Sequence, residues 1–307
     1  MPTNPPLLDR ALAMPNLRRA WDEVAENDGI PGVDAVSIAR WRRNWEERLV
    51  NLAAAVRANT YQPGKLRRKR VPKNRSPGYR TLRIPSVTDR VLQRAVLQVL
   101  YPVLDPRFLD CSFGYRPGRG LRDAVRRINA LRREGYGFVV DADIDDFFNR
   151  VDQALLRRYL AEELPDGSLW PLFDGWLAAG RTRPDEARGI PMGSPLSPLL
   201  ANVLLHRLDV AVTGAGYPMV RYADDFIVLA ADEAAAAEAY RFVGDVLAGL
   251  NLRYEPRKTR LASFAEGFAF LGVVFEDGWY WYTWQDKRIE VRDEETDWLF
   301  DDYLPEY

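Results

Sequence analysis

Phe138-Val139-Val140-Asp141-Ala142-Asp143-Ile144 interleaves apolar and acidic residues, and Met219-Val220-Arg221-Tyr222-Ala223-Asp224-Asp225-Phe226-Ile227-Val228-Leu229-Ala230 sets two acids between two apolar pieces. The first run reads as a β-strand, whose period of two puts Phe138, Val140, Ala142 and Ile144 on one face and Asp141 and Asp143 on the other. The second reads as two strands around a tight turn holding Asp224 and Asp225, where aspartate is a favoured turn former. If the strands are neighbours, three or four carboxylates converge on an open sheet face. Adjacent carboxylates raise one another's pKa unless a cation neutralises them, so such a cluster suits a hard metal ion. Oxygen-only ligation favours Mg2+, with Mn2+ as substitute, and two ions about 3.5–4 Å apart suit in-line phosphoryl transfer.

Outward from these strands the pattern changes twice. A helix follows from about Val151 to Tyr159, then an irregular insertion, then a helix through Leu199, Leu200, Val203, Leu204 and Leu208. After the acidic turn come a helix over residues 233–250 and a last strand over residues 268–275. The order β-α-α-β-β-α-β is close to a split βαβ arrangement, an antiparallel sheet backed by helices on one face. The N-terminal third is mostly helical: Ile38, Trp41, Trp45, Leu49, Leu52 and Val56 recur at three- and four-residue steps and predict one amphipathic helix over residues 36–56. Residues 61–85 break into short strand-like pieces around Pro63-Gly64 and Pro77-Gly78, which predicts a projecting hairpin.

The chain has 307 residues, 47% hydrophobic and 28% charged, a globular composition. No window approaches the ~18 apolar residues of a membrane span, and the first residues lack the features of a secretory signal, so a cytoplasmic protein without membrane partners is expected. One cysteine and one histidine rule out a disulfide framework, Cys/His zinc sites and histidine relays. The net charge of −1 hides a segregation. Between Arg48 and Thr88 there are eleven basic residues and no acid, a tract that should attract polyanions, whereas between Glu276 and Tyr307 eleven acids face three bases.

Tyr222-Ala223-Asp224-Asp225 resembles the hallmark box of reverse transcriptases, and other boxes follow in the family's order. Gly29-Ile30-Pro31-Gly32-Val33-Asp34 resembles the N-terminal extension box of group II intron enzymes. Val71-Pro72-Lys73, Arg80-Thr81-Leu82-Arg83-Ile84-Pro85 and Asp89-Arg90 resemble the fingers motif, and Ser112-Phe113-Gly114-Tyr115-Arg116-Pro117-Gly118 the motif after it. The run from Gly189 through Pro191-Met192-Gly193-Ser194-Pro195-Leu196-Ser197 to Asn202 is similar to the box that touches template and incoming nucleotide. Glu255-Pro256-Arg257-Lys258-Thr259 and Phe270-Leu271-Gly272 resemble the last two boxes. Two departures stand out: Met192 replaces the usual glutamine, and the usual glycine before Lys258 is missing.

The resemblance implies an α+β right-hand polymerase fold with fingers and palm, an antiparallel palm sheet backed by helices, and a thumb absent or vestigial. It implies a helical N-terminal extension over residues 1–60, fingers over 61–136, a palm over 137–266 with a fingers-like insert at about 160–188, and primer-grip strands with a short acidic aromatic tail over 267–307. The implied activity is group II intron-like RNA-directed DNA synthesis with two Mg2+ ions. The family's spacing of five residues to a sugar-gating aromatic, Phe148, selects Asp143, with Asp224 and Asp225, as catalytic metal ligands, and adds the Ile144 carbonyl. Lys73, Arg80, Phe148, Met192, Gly193 and Lys258 are implied at the nucleotide; Arg67, Arg68, Arg116, Ser194, Pro195, Tyr222, Leu271 and Gly272 at template and primer. Expected partners are an RNA template, a DNA or RNA primer, dNTPs, and a protein that replaces the thumb, such as a CRISPR integrase in spacer acquisition or another phage defence. The alternatives are a template-independent or protein-primed transferase on the same fold and a non-catalytic, maturase-like RNA-binding protein.

Overall fold

The computed structural model describes residues 5–72, 78–183, 186–284 and 287–292. In chain order it forms α1 (Leu7–Ala11), α2 (Met14–Glu26), α3 (Ile38–Arg42), α4 (Trp45–Arg57), β1 (Arg67–Pro72), β2 (Tyr79–Ile84), α5 (Val87–Leu104) and α6 (Leu121–Arg133). Then come β3 (Phe138–Asp143), α7 (Phe147–Arg150), α8 (Gln153–Glu163), α9 (Trp170–Ala179), α10 (Ser197–Gly214), β4 (Met219–Tyr222), β5 (Asp225–Ala230) and α11 (Glu233–Gly249). The last elements are β6 (Arg260–Ser263), β7 (Phe268–Phe270), β8 (Val273–Glu276), β9 (Trp279–Trp284) and β10 (Lys287–Arg292). The chain divides into two compact units, Met1–Arg107 with Phe148–Leu200, and Phe108–Phe147 with Ala201–Tyr307. Among the described residues no helix is long and apolar enough to cross a membrane.

The first unit is built on α5, whose Val91, Leu92, Ala95, Val96 and Leu100 are completely buried and which packs against α1 and α2. Ser86 caps it: the Asp89 amide donates to the Ser86 hydroxyl at 3.0 Å, satisfying one of the amides a helix start leaves unpaired. The single helix expected over residues 36–56 is two helices, α3 and α4. Asn44 interrupts them at φ −134°, ψ 39°, because asparagine competes poorly inside a helix, and Glu46 and Glu47 then open a fresh N-terminus where the helix dipole favours acids. The segment expected to be irregular after α8 contains α9. Its buried Leu172, Phe173, Trp176 and Leu177 do share one face, but Pro165, Gly167, Pro171, Gly175 and Gly180 punctuate the segment and make it read as irregular. The basic hairpin forms as expected, β1 pairing antiparallel with β2 from Arg67 opposite Ile84 to Pro72 opposite Tyr79.

The second unit holds a four-stranded antiparallel sheet in the order β4-β5-β3-β6. Its last strand differs from the sequence expectation. Residues 268–275 do not join this sheet; β6 does, pairing Phe138 with Ser263 and Asp141 with Arg260. Leu271 at φ 53° and Gly272 at φ 82° fold the expected strand into the β7–β8 hairpin, both turn residues being left-handed as in a type I′ turn. That hairpin belongs to a separate sheet, β10-β9-β8-β7. Nor is the acidic face of the main sheet open along its whole length. Val139, Ile227 and Leu229 share that face by alternation, and they are buried with Val125 and Ile128 of α6 and with Phe268, Phe275 and Tyr280 of the second sheet. Helix α11 packs against β3, β5 and β6 from the other side. Asp143, Asp224 and Asp225 lie at the other end of the acidic face, half-buried.

Candidate active site

Strand register brings the acids together. Asp143, at the end of β3, lies directly opposite Asp225, at the start of β5, and such cross-strand neighbours have Cβ atoms about 4.5–5.5 Å apart. The connection from β4 to β5 is two residues, Ala223-Asp224, which closes Tyr222 against Asp225. Asp225 is therefore a strand residue, and the turn sits one residue earlier than the aspartate pair suggests. Ala223 has φ 60°, a left-handed conformation that costs an L-residue about 1–2 kcal/mol.

The charges are strongly coupled. Burial, reinforced by Asp143, raises Asp224 to about 6. Burial, then Asp224, Asp143 and Asp141, raise Asp225 to about 7. Lys258 opposes both shifts, and its ammonium donates to the Asp143 carboxylate. Burial works against the charge on Lys258, but Asp143, Asp225 and Asp224 hold its pKa above the ordinary lysine value. The backbone delivers this lysine: the Glu255 amide donates to the Asp143 carbonyl at 2.8 Å, and the Asp145 amide to the Arg253 carbonyl at 3.0 Å. The flanking acids are paired, Asp145 with Arg253 at 2.6 Å and Asp141 with Arg260 at 3.2 Å.

The donor chemistry fits a hard cation: the oxygens belong to carboxylates that hold one another's protons until a positive charge arrives. Among the described residues no three acids, histidines or cysteines are gathered closely enough to enclose an ion as they stand. The Lys258 ammonium is the positive charge lying on Asp143.

Sequence reasoning missed the support beneath the turn. Arg221, fully buried, forms a bidentate ion pair with Asp209 of α10 at 2.7 and 2.6 Å and reaches Asn202, Ser112 and the Ala223 carbonyl. Burial opposes its charge, but the charge and hydrogen bonds of Asp209, with Cys111 and Asp224, together hold its pKa above the ordinary arginine value. The only signal available was an arginine inside an otherwise apolar strand.

Several residues implied at nucleotide or template are committed to internal contacts. The Arg116 guanidinium is buried and donates to the carbonyls of Leu109 and Ser112 at 2.7 and 3.0 Å. Tyr222 and Leu271 pack on the apolar cluster of the second unit, and Leu271-Gly272 forms the β7–β8 turn. In the first unit Ser194 is buried and its hydroxyl donates to Gln93 at 2.9 Å. Met192 is half-buried, and its carbonyl accepts from the Arg83 amide at 2.7 Å. Gly193 takes φ 111°, which glycine alone adopts freely, and a Cβ there would come 3.3 Å from the Arg83 carbonyl. Pro195 and Phe148 are half-buried, and the Phe148 carbonyl accepts from the Ile190 amide at 2.8 Å. Arg83 organises this loop, its guanidinium donating to the carbonyls of Gly180 and Ile190 at 2.6 and 2.7 Å. Arg67, Arg68 and Arg80 lie exposed on the hairpin, Arg67 donating to the Pro31 carbonyl at 3.1 Å. Lys73 lies outside the described residues. The Ile144 side chain is buried, and the residue bridges to Tyr254.

Opposed strand carboxylates with a lysine beside them, on an antiparallel sheet backed by a helix, suit metal-assisted nucleotidyl transfer. Residues 71–275 match the family model described as reverse transcriptase (RNA-dependent DNA polymerase). The chain belongs to the reverse transcriptase family, whose members are RNA-directed DNA polymerases. It is 28% identical over 286 residues to Protein YkfC of Escherichia coli (strain K12), a match covering 79% of this chain and 74% of that one. It is 34% identical over 170 residues to the group II intron-encoded protein LtrA of Lactococcus lactis subsp. cremoris, covering 53% of this chain and 28% of LtrA. Within the family the chain is similar, over about half its length, to a group II intron-encoded protein. The chain thus spans most of YkfC but little more than a quarter of LtrA. A telomerase structure from Candida albicans aligns at TM-score 0.53 with 13% identity, over 86% of this chain and 52% of that one, a likeness of fold alone.

Proposed function

We propose that this chain extends a DNA or RNA primer on an RNA template with dNTPs, using two Mg2+ ions held by Asp143, Asp224, Asp225 and the Ile144 carbonyl. The observation that carries the reading is the register pairing of Asp143 with Asp225, with Asp224 in the adjoining two-residue turn. The chemistry such ions supply when bound is activation of the primer 3′-hydroxyl and neutralisation of the leaving pyrophosphate. The chain's own residues position and screen. Lys258 balances the acid cluster, and Arg80, with Lys73, offers positive charge to the triphosphate from the basic hairpin. Phe148 closes the space under the ribose C2′ position. Met192 stands at the incoming nucleotide, where a thioether cannot donate the hydrogen bond an amide would. In this reading the four-stranded sheet is the palm and the hairpin belongs to the fingers. The proposal includes a second polypeptide that clamps the primer–template duplex, and strands β7 to β10 form a sheet of their own rather than part of the palm. The pathway we propose for such a complex is CRISPR spacer acquisition or another phage defence.

Primer extension on poly(A) with oligo(dT), dNTPs and Mg2+ tests the chemistry. Wild type should extend, and Asp143→Asn or Asp225→Asn should lose about 10²-fold or more in rate, because a charge that stabilises the transition state disappears. Retention of more than about a tenth of the rate by both variants overturns the assignment.

A further inference from the structure

We propose that Arg221 is a positioning residue for this reaction, holding the Ala223-Asp224 turn through the Ala223 carbonyl so that Asp224 and Asp225 face their ligand; this rests on the reading of those aspartates as cation ligands. A guanidinium has five N–H donors in a fixed plane. Nε and Nη2 reach the two Asp209 carboxylate oxygens at 2.7 and 2.6 Å, and Nη2 also reaches the Ser112 hydroxyl at 2.8 Å. Nη1 donates to the Asn202 side-chain oxygen at 2.8 Å and to the Ala223 carbonyl at 2.9 Å. Four acceptors belong to α10 and to the segment before α6. The fifth belongs to the turn, so the clamp refers the turn's position to α10.

A second contact holds the same turn from its amide side. A Cβ on Gly114 would lie 2.4 Å from the Ala223 nitrogen and 2.9 Å from the Tyr222 carbonyl carbon, so only glycine permits the approach. The Gly114 carbonyl in turn accepts from Asn202 at 2.9 Å, which makes Asn202 common to both contacts. Left-handed backbone at a non-glycine residue persists only where its surroundings over-determine it, and Ala223 at φ 60° is bonded at its carbonyl and closely packed by Gly114 at its nitrogen. Stability alone does not call for this arrangement, since a buried ion pair is often replaced by apolar residues at no loss. Positioning accounts for the bond to the turn, which the Asp209 pair by itself does not need.

Mn2+ binding followed by electron paramagnetic resonance, extension kinetics and thermal melting, on the full chain, test the inference. The double variant Arg221→Met/Asp209→Leu removes both charges and leaves neither buried alone. It should melt close to wild type yet bind Mn2+ about tenfold or more weakly, with kcat falling by a similar factor and primer–template Kd unchanged, the size of loss typical when a group supporting a metal ligand is removed. Arg221→Lys keeps the charge but not the planar array, and should lose about threefold or more in Mn2+ affinity and kcat. Wild-type Mn2+ affinity and kcat in the double variant, or in Arg221→Lys should the double variant not fold, overturn the positioning role whatever happens to melting. Failure of wild type to bind Mn2+, or undiminished binding by Asp225→Asn, overturns the reading of the aspartates, and this inference with it.

Discussion

Asp224 and Asp225 hold their protons more tightly in the folded chain than an ordinary aspartate does, titrating at about 6 and about 7 against 3.8. Between those values the native state binds more protons than the unfolded chain, so the metal-free protein loses stability as pH rises from about 4 to about 7; below that window the contribution is fully present. In the presence of a chelator, melting temperatures at pH 5 and pH 8 should therefore differ more for wild type than for Asp225→Asn, which removes one of the repelling charges. Parallel pH profiles for the two proteins would show that these carboxylates are not coupled. Both acids were legible in the sequence because strand alternation and turn chemistry act locally. Arg221 was not: its partners Asp209, Asn202 and Ser112 lie 12, 19 and 109 residues away, and no local pattern joins them.

The basic hairpin shows what an element can reveal of itself. Pro and Gly punctuate it and its charge is unmixed, so its pairing was readable, and its attraction for polyanions stands as an expectation. Strand β6 shows the opposite, since Arg260-Leu261-Ala262-Ser263 is short, weakly apolar and defined only by its pairing with β3. The hairpin charges lead to a salt prediction. All four cations of β1 are exposed, and because Arg67 donates to the Pro31 carbonyl the test is confined to Arg68, Lys69 and Arg70. Each phosphate neutralised on a single strand contributes a slope of about −0.7 in log K against log salt, so replacing these three by glutamine should flatten the slope by about 2 units. An unchanged slope would make the tract ordinary solvated surface.

Charge is segregated along the whole molecule, and this was legible because counting needs no fold. The bounds of the returning segment were not: the resemblance implied a fingers-like insert at about 160–188, the compact unit takes residues 148–200, and no compositional boundary marks either. The net charge of −1 combines the basic tract with seven acids and no base after Arg292. Ending the chain at Arg292 keeps β10, whose Val291 is buried in the second sheet, and carries the net charge from −1 to +6. The polyanion-repelling field of those acids reaches as far as the Debye length, about 30 Å at 0.01 M ionic strength and about 8 Å at 0.15 M. The shortened chain should therefore bind a labelled oligonucleotide more tightly than the full chain at low salt, with the two converging as salt rises. Fluorescence anisotropy across a KCl series reads this directly. Equal affinities at low salt would mean that the acidic segment does not oppose nucleic-acid binding, whereas a gap persisting at high salt would mean that it makes a specific contact which screening does not remove.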